Sequence, residues 1–204
     1  MGVILWGAFI EKGSSSEEEI LESLGYHTVE VHPEALGFES AVRHILRKPI
    51  TATPKEIFTT TTSENYLILV DYPHSKISPS KDEEQTQALR LPQLKLYKFV
   101  YDNNINDIGF AFLAKGKLQR YLYRSGNWSA IEYGRQLELE PETKVTYPAK
   151  NLFGEWDDIL VEPHAPFKVL EETISHMLEL TTGKYYSAEY YHLQSIKLDC
   201  RIIR

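Results

Sequence analysis

Residues 110–134, FAFLAKGKLQRYLYRSGNWSAIEYG, indicate three strands joined by two tight turns. The pair KG at 115–116 is typical of a two-residue hairpin turn, and SGN at 125–127 is typical of a three-residue turn. The apolar pattern begins further upstream, at Leu94. Residues 94–133 therefore predict four successive strands, which is the signature of an antiparallel meander.

The two turn lengths fix a predicted register for these strands. Ala111 is expected opposite Arg120, and Arg120 opposite Glu132. One face then carries the large side chains Ile108, Phe110, Phe112, Tyr121, Tyr123, Ile131 and Tyr133. The other face carries Gly109, Ala111, Leu113, Leu118, Arg120, Leu122, Ala130, Glu132 and Gly134. We expect the aromatic face to form the main core, and the second face to hold an ion pair among small residues.

The predicted ion pair of Arg120 and Glu132 has two interpretations. In the first, it is a cross-strand pair on a partly solvated face, worth about 0.2–1 kcal/mol, and the small residues let a helix lie close to the sheet. In the second, the small residues open a shallow pocket whose floor is a guanidinium and a carboxylate. The candidate ligand-binding residues of this pocket are Arg120, Glu132, Gly109, Ala111, Ala130 and Gly134.

The rest of the chain supplies further strands and helices. Residues 3–10 form an apolar run of strand length, and residues 196–202 alternate as a half-buried strand does. Each serine at 14–16 has a glutamate three positions later, which predicts a capping box. Helices are expected near residues 17–24, 39–47 and 166–180.

Residues 73–92 are rich in polar residues and proline, and we expect them to form a flexible excursion, with room for a helical turn inside it. The remaining pattern predicts one α+β domain over residues 1–204. Its predicted architecture is a mainly antiparallel sheet with a central meander, packed by about three helices.

Composition and charge exclude several classes of function. The chain of 204 residues has a net charge of −7, and residues 132–172 hold ten Asp and Glu against four Lys and Arg. A nucleic-acid-binding surface needs the opposite sign, so nucleic acid is not an expected partner. No apolar run is long enough to span a bilayer, and no basic residues precede the first apolar stretch. We expect a cytoplasmic protein that does not contact a membrane.

Catalytic and metal-binding motifs are not found in the sequence. The seven histidines lack the HxH, HExxH and HxxxH spacings, and Glu172 and His176 are expected to form a helical surface pair. The single Cys200 is expected to pack as a small apolar side chain, and no GxSxG motif is present. The sequence predicts no metal and no cofactor, and favours a protein without catalytic activity. Glu155, Asp157 and Asp158 are expected to form a solvated loop anchored by Trp156, and the alternative is a general acid/base pair or a divalent-cation site.

Our leading functional hypothesis is a non-catalytic protein that binds a basic protein partner, as an immunity protein binds a basic toxin. Tyrosine gives rigid contact area at interfaces, and carboxylates attract a basic surface. The candidate partner-binding residues are Tyr185, Tyr186, Tyr190, Tyr191, Glu138, Glu140 and Glu142. For the tyrosines, covering the core edge is the alternative role. The alternative function is a small-molecule binder or hydrolase that uses the pocket of Arg120 and Glu132.

Three short motifs relate the chain to other proteins. They are Gly116-x-Leu118-x-Arg120, Gly134-x-x-Leu137-x-x-Glu140, and Pro163-x-x-Pro166-Phe167 ahead of the last helix. Through these motifs the chain resembles a family of uncharacterised bacterial proteins of unknown function. The resemblance implies a shared fold in which the arginine after the turn glycine belongs to the scaffold, and it implies no particular reaction.

Overall fold

Eleven strands and four α-helices form the part of the chain that the computed structural model describes. This part comprises residues 3–49, 55–72, 74–126, 130–141, 145–150, 156–161, 166–186 and 191–203. The strands are β1 (Ile4–Glu11), β2 (Thr28–Gly37), β3 (Lys55–Thr61), β4 (Tyr66–Val70), β5 (Lys95–Asp102), β6 (Asp107–Ala114), β7 (Lys117–Arg124), β8 (Ile131–Gly134), β9 (Val145–Lys150), β10 (Trp156–Val161) and β11 (Lys197–Ile203). The helices are α1 (Glu17–Ser23), α2 (Phe38–Arg47), α3 (Lys81–Arg90) and α4 (Pro166–Thr182), and a 3-10 helix spans Tyr191–Ser195.

Nine of these strands form one sheet in the order β2-β11-β3-β4-β1-β5-β6-β7-β8. Every pair of neighbouring strands in this sheet is antiparallel. Strands β9 and β10 form a separate antiparallel pair. The predicted α+β class is confirmed, and so is the meander, because β5, β6, β7 and β8 each pair with the next.

Helices cover both faces of the sheet, which explains why β1 and β4 are continuous apolar runs. Phe38 of α2 packs against Phe99 of β5, with ring centroids 6.0 Å apart. Lys98 precedes Phe99 in β5, so its side chain lies on the opposite face of the sheet, where it donates a hydrogen bond to Glu84 of α3. Helices α2 and α3 therefore lie on opposite sides of the sheet.

The predicted capping box of α1 is confirmed at Ser16. Its hydroxyl oxygen accepts a hydrogen bond from the backbone N–H of Glu19 at 3.1 Å, and the Glu19 carboxylate accepts one from the N–H of Ser16 at 2.7 Å. The helix begins at Glu17, one residue after this cap. Three expected helices are thus found, since α1, α2 and α4 occupy the predicted positions.

The fourth helix, α3, lies in the segment that the sequence predicts as a flexible excursion. Residues 74–92 pack on the sheet, with Ser75 and Ile77 buried in the loop before the helix and Ala88 buried within it. The buried positions of α3 itself are Glu84 and Ala88, a carboxylate and a small residue. Because α3 has no large apolar side chain on its inner face, hydrophobic periodicity gives no sign of it.

The register between β6 and β7 differs from the predicted one. The two-residue turn is present, since Ala114 pairs with Lys117 and Lys115 and Gly116 both have positive φ. Beyond the turn the register shifts at a bulge, so that Arg120 lies opposite Phe112 and not opposite Ala111. The prediction that Gly109 and Ala111 share a face with Arg120 is therefore wrong, as is the predicted segregation of all aromatic residues to one face.

The register between β7 and β8 is shifted by two residues. Arg120 lies opposite Gly134, and Glu132 lies opposite Leu122. The predicted position of Glu132 directly opposite Arg120 is therefore wrong. A shift of two residues leaves the side chains on their faces, so Glu132 still reaches Arg120 along a diagonal.

Candidate functional site

Arg120 is the centre of a buried ion cluster and is only 2% exposed. Its Nε donates to Oε1 of Glu140 at 2.7 Å, and its Nη2 donates to Oε2 of the same carboxylate at 2.6 Å. This is a bidentate pair, the geometry in which an arginine binds a carboxylate most strongly. Glu140 lies in the segment 135–141 that follows β8, which we call the strap.

The remaining donors of Arg120 are also occupied. Nη2 donates to Oε1 of Glu132 at 2.7 Å, and Nη1 donates to the carbonyl oxygens of Gly134 at 2.9 Å and Tyr133 at 3.3 Å. A guanidinium has five N–H donors, and all of them have an acceptor within this chain. The geometry therefore favours a structural role for Arg120, because no donor is left for a ligand.

The strap is fixed at several points besides Arg120. The Glu140 carboxylate also accepts a hydrogen bond from the backbone N–H of Leu137 at 2.9 Å. The carbonyl oxygen of Leu139 lies 2.7 Å from Nδ1 of His176 on α4. The motif residues Gly134, Leu137 and Glu140 thus belong to one set of hydrogen bonds with Arg120 of β7. The strap also contacts α4, through Leu139 and His176.

Gly134 has a conformation and an environment that no other residue fits. Its φ is +87°, and a Cβ atom at this position would lie 2.0 Å from the carbonyl oxygen of Gln119. We expect Gly134→Ala to destabilise the protein by more than about 1 kcal/mol, measured by urea unfolding. Gly25→Ala is the matched control, because Gly25 has a φ of +83° but open space around it. Equal losses in the two variants would contradict the close approach of β7 and β8.

The other residues of the predicted pocket do not join Arg120. Gly109 lies on the opposite face of the sheet, where a Cβ would lie 2.6 Å from the Tyr123 ring. Ala111 is fully buried on that same face. Ala130 lies just before β8 and is half-buried. The structure therefore brings together Arg120, Glu132 and Gly134 of the predicted set, and leaves the other three apart.

The predicted partner-binding residues are dispersed between surface and core. Tyr185 is 55% exposed, whereas Tyr186 is fully buried. Glu138 is exposed, but Glu140 is buried against Arg120 and offers no surface charge. Several predicted residues, or their side chains, lie outside the part that the structure describes: Tyr190, Tyr191, Glu142, Glu155, Asp157 and Asp158. Among the described residues, no three His, Cys, Asp or Glu side chains are placed to share a metal ion.

A second buried charge cluster is centred on Lys98 of β5, and the sequence patterns do not predict it. Lys98 and Glu84 of α3 are each 1% exposed. The Lys98 ammonium donates to both oxygens of the Glu84 carboxylate, at 2.8 and 2.9 Å, and to Oε1 of Gln87 at 2.8 Å. The one sequence signal is a lysine between Tyr97 and Phe99 in an otherwise apolar strand.

Further polar groups extend this cluster into a network. The backbone N–H of Ser78 donates to Oε1 of Glu84 at 2.7 Å. Gln87 donates through Nε2 to the His74 carbonyl at 3.3 Å, and the same nitrogen lies 3.2 Å from Nδ1 of His74. Asp71 accepts a hydrogen bond from the backbone N–H of His74 and another from the Tyr26 hydroxyl. We call this set of residues the Lys98 network; its members are Tyr26, Asp71, His74, Ser78, Glu84, Gln87 and Lys98.

Burial perturbs the ionisable groups of the Lys98 network. It lowers the pKa of Lys98, although the neighbouring Glu84 carboxylate acts in the opposite direction. It also lowers the pKa of His74, against the effect of the Asp71 carboxylate. Burial and the charge of Asp71 together raise the pKa of Tyr26 far above its ordinary value. A concentration of perturbed groups is a feature of functional sites, though structural ion pairs can produce it too.

Five members of the Lys98 network line a cavity of about 390 Å³ between α3 and the loop before it: His74, Ser78, Glu84, Gln87 and Lys98. We call this the α3 cavity, and its polar lining also includes Lys76, Glu83, Thr86 and Arg90. The volume lies in the range of small-molecule sites, which is about 300–1,000 Å³. Charged groups in a cavity of this size can orient a polar ligand.

No family model, curated protein or solved structure matches this chain. None of the helices in the described residues is long and apolar enough to cross a membrane.

Proposed function

We propose that this protein binds a small molecule in the α3 cavity. The observation that carries the proposal is the Lys98–Glu84 ion pair, in which both side chains are 1% exposed and both line the cavity. Removing two charges from water costs several kcal/mol for each ion before their attraction offsets the cost. An apolar pair would fill the same space without that cost, so the retained charges suggest a role beyond stability.

The Lys98 network suits a binding wall because its members are held in place by one another. Lys98 has three donors, and Glu84 and Gln87 accept from all of them. Lys98 therefore orients Glu84 and Gln87 and does not itself need to contact the ligand. Side chains that are fixed by packing and hydrogen bonds lose little freedom on binding, which favours affinity.

The proposal predicts that blocking the mouth of the α3 cavity abolishes ligand binding. Thr86 is exposed on α3 and lines the cavity, so Thr86→Trp places an indole there without removing a charge. We expect a bound small molecule at about 100 times its dissociation constant to raise the melting temperature of the wild type by about 5–10 °C. Thr86→Trp is expected to lose this shift, measured by a thermal-shift screen of nucleotides, sugars and organic acids.

The matched control is Leu89→Trp on the same helix. Leu89 is 64% exposed and is not among the residues that line the α3 cavity. This variant should keep the full thermal shift. A shift that survives in Thr86→Trp places the ligand elsewhere, and a screen in which no compound stabilises the wild type contradicts the proposed function.

Partner binding is the second candidate function, and the observation that favours it is exposed apolar area at the end of α4. Leu180 is 46% exposed and Tyr185 is 55% exposed. The strap, which carries the exposed Glu138, reaches this region through Leu139, whose carbonyl oxygen contacts His176 beside Tyr185. Such a surface suits a basic protein partner in the bacterial cytoplasm, in a role like that of an immunity protein. The ligand screen separates the two functions, because a protein that acts only through this surface gains no stability from small molecules.

A further inference from the structure

We infer that the ligand of the α3 cavity carries an anionic group, a phosphate or a carboxylate, that Arg90 and Lys76 bind. This inference rests on the proposed function and adds the chemical class of the ligand. It follows from the charges around the cavity and from which of them already have partners.

Five charged side chains line the α3 cavity, and three of them have polar partners within the chain. Lys98 and Glu84 neutralise each other. The Glu83 carboxylate accepts a hydrogen bond from the Ser78 hydroxyl. The other two are Lys76 and Arg90, and within the described residues neither forms an ion pair. Among the charged residues that line the cavity, three cations stand against two carboxylates, although the chain has a net charge of −7.

Lys76 and Arg90 approach the cavity from two different elements. Lys76 lies in the loop before α3, and its ammonium stands 5.4 Å from the centre of the Tyr72 ring. That contact steadies the cation through the ring face and leaves its N–H donors available. Arg90 lies in the last turn of α3 and is exposed, with its planar set of donors unpaired in the described part of the chain. An arginine and a lysine together suit an anionic oxygen group.

The test compares molecules that differ in one anionic group. The probes are adenosine and adenosine 5′-monophosphate, glucose and glucose 6-phosphate, benzyl alcohol and benzoate, and inorganic phosphate alone, each titrated by calorimetry at low salt. We expect the anionic member of at least one pair to bind at least about tenfold more tightly than the neutral member, as a charge-assisted hydrogen bond implies. The phosphate pairs and the carboxylate pair distinguish which group the cavity prefers.

Variants then assign the preference to particular side chains. Arg90→Ala and Lys76→Ala should each remove most of the difference in affinity between the anionic and the neutral probe. Each should also weaken the dependence of binding on salt. Arg47→Ala is the control for charge, because Arg47 is exposed at the end of α2 and is not part of the cavity. We expect this variant to bind as the wild type does.

The outcomes separate this inference from the proposed function. If neutral and anionic members bind equally and Thr86→Trp blocks both, the cavity binds small molecules but the inference is wrong. If the anionic preference survives in Arg90→Ala and Lys76→Ala, other cations are responsible and the inference is also wrong. If no probe binds, the result counts against both statements.

Discussion

Glu140→Gln is expected to lower the free energy of unfolding by about 3–5 kcal/mol, whereas Glu132→Gln costs less than about 1 kcal/mol. Both carboxylates bind the same guanidinium, that of Arg120, at 2.6–2.7 Å. They differ in burial, because the Glu140 side chain is 0% exposed and the Glu132 side chain is 65% exposed. Loss of the buried charge leaves the cation of Arg120 with one counter-charge, the solvated carboxylate of Glu132.

The measurement is urea unfolding followed by circular dichroism, with both variants compared at the same pH. Arg120→Met is expected to cost as much as Glu140→Gln, since it leaves the Glu140 carboxylate buried without a neutralising cation, with the Leu137 N–H as its remaining hydrogen-bond donor. Arg47→Met, which removes an exposed arginine, should change stability by no more than about 0.5 kcal/mol. Equal effects of the two Glu→Gln changes would show that the strap is not fixed by the buried pair.

Lys98→Met is expected to lower the free energy of unfolding by about 3–5 kcal/mol, because Glu84 then stays buried with an uncompensated charge. The double variant Lys98→Met with Glu84→Gln should be more stable than Lys98→Met alone by more than about 1 kcal/mol. The amide of glutamine still accepts the hydrogen bond from the Ser78 N–H, while the buried charge is gone.

Lys95→Met is the matched control for this change, since Lys95 lies on the same strand. Its side chain is 45% exposed and pairs with Glu11, which is 41% exposed. An exposed ion pair contributes little, so we expect a loss below about 1 kcal/mol. If Lys98→Met and Lys95→Met have the same effect in urea unfolding, the Lys98 network is not the buried unit described above.

The parts of the fold that sequence predicts well are those with local signals. Serine and glutamate at spacing three place the start of α1, and KG at 115–116 places the turn between β6 and β7, where both residues have positive φ. The register beyond that turn could not be predicted. A bulge of one residue at Gln119 moves Arg120 from Ala111 to Phe112, and bulges have no fixed sequence pattern.

The candidate sites depend on contacts between residues that are distant in sequence. The sequence predicts a pair between Arg120 and Glu132 but misses the stronger partner Glu140, which reaches Arg120 from an irregular segment with no periodicity. The Lys98 network is not predicted from the sequence for a related reason. Its helix α3 has no apolar stripe, so neither the ten-residue length of the helix nor the approach of Glu84 to Lys98 can be predicted from the pattern.

The most direct test of ligand binding in the α3 cavity is a crystal structure of the protein with the tightest compound from the screen. We predict electron density for that compound between α3 and the preceding loop, against the wall formed by His74 and Gln87. An anionic oxygen should lie about 2.7–3.1 Å from a nitrogen of Arg90 or Lys76. Density at another place on the surface, with the α3 cavity unchanged from the free protein, would contradict the account.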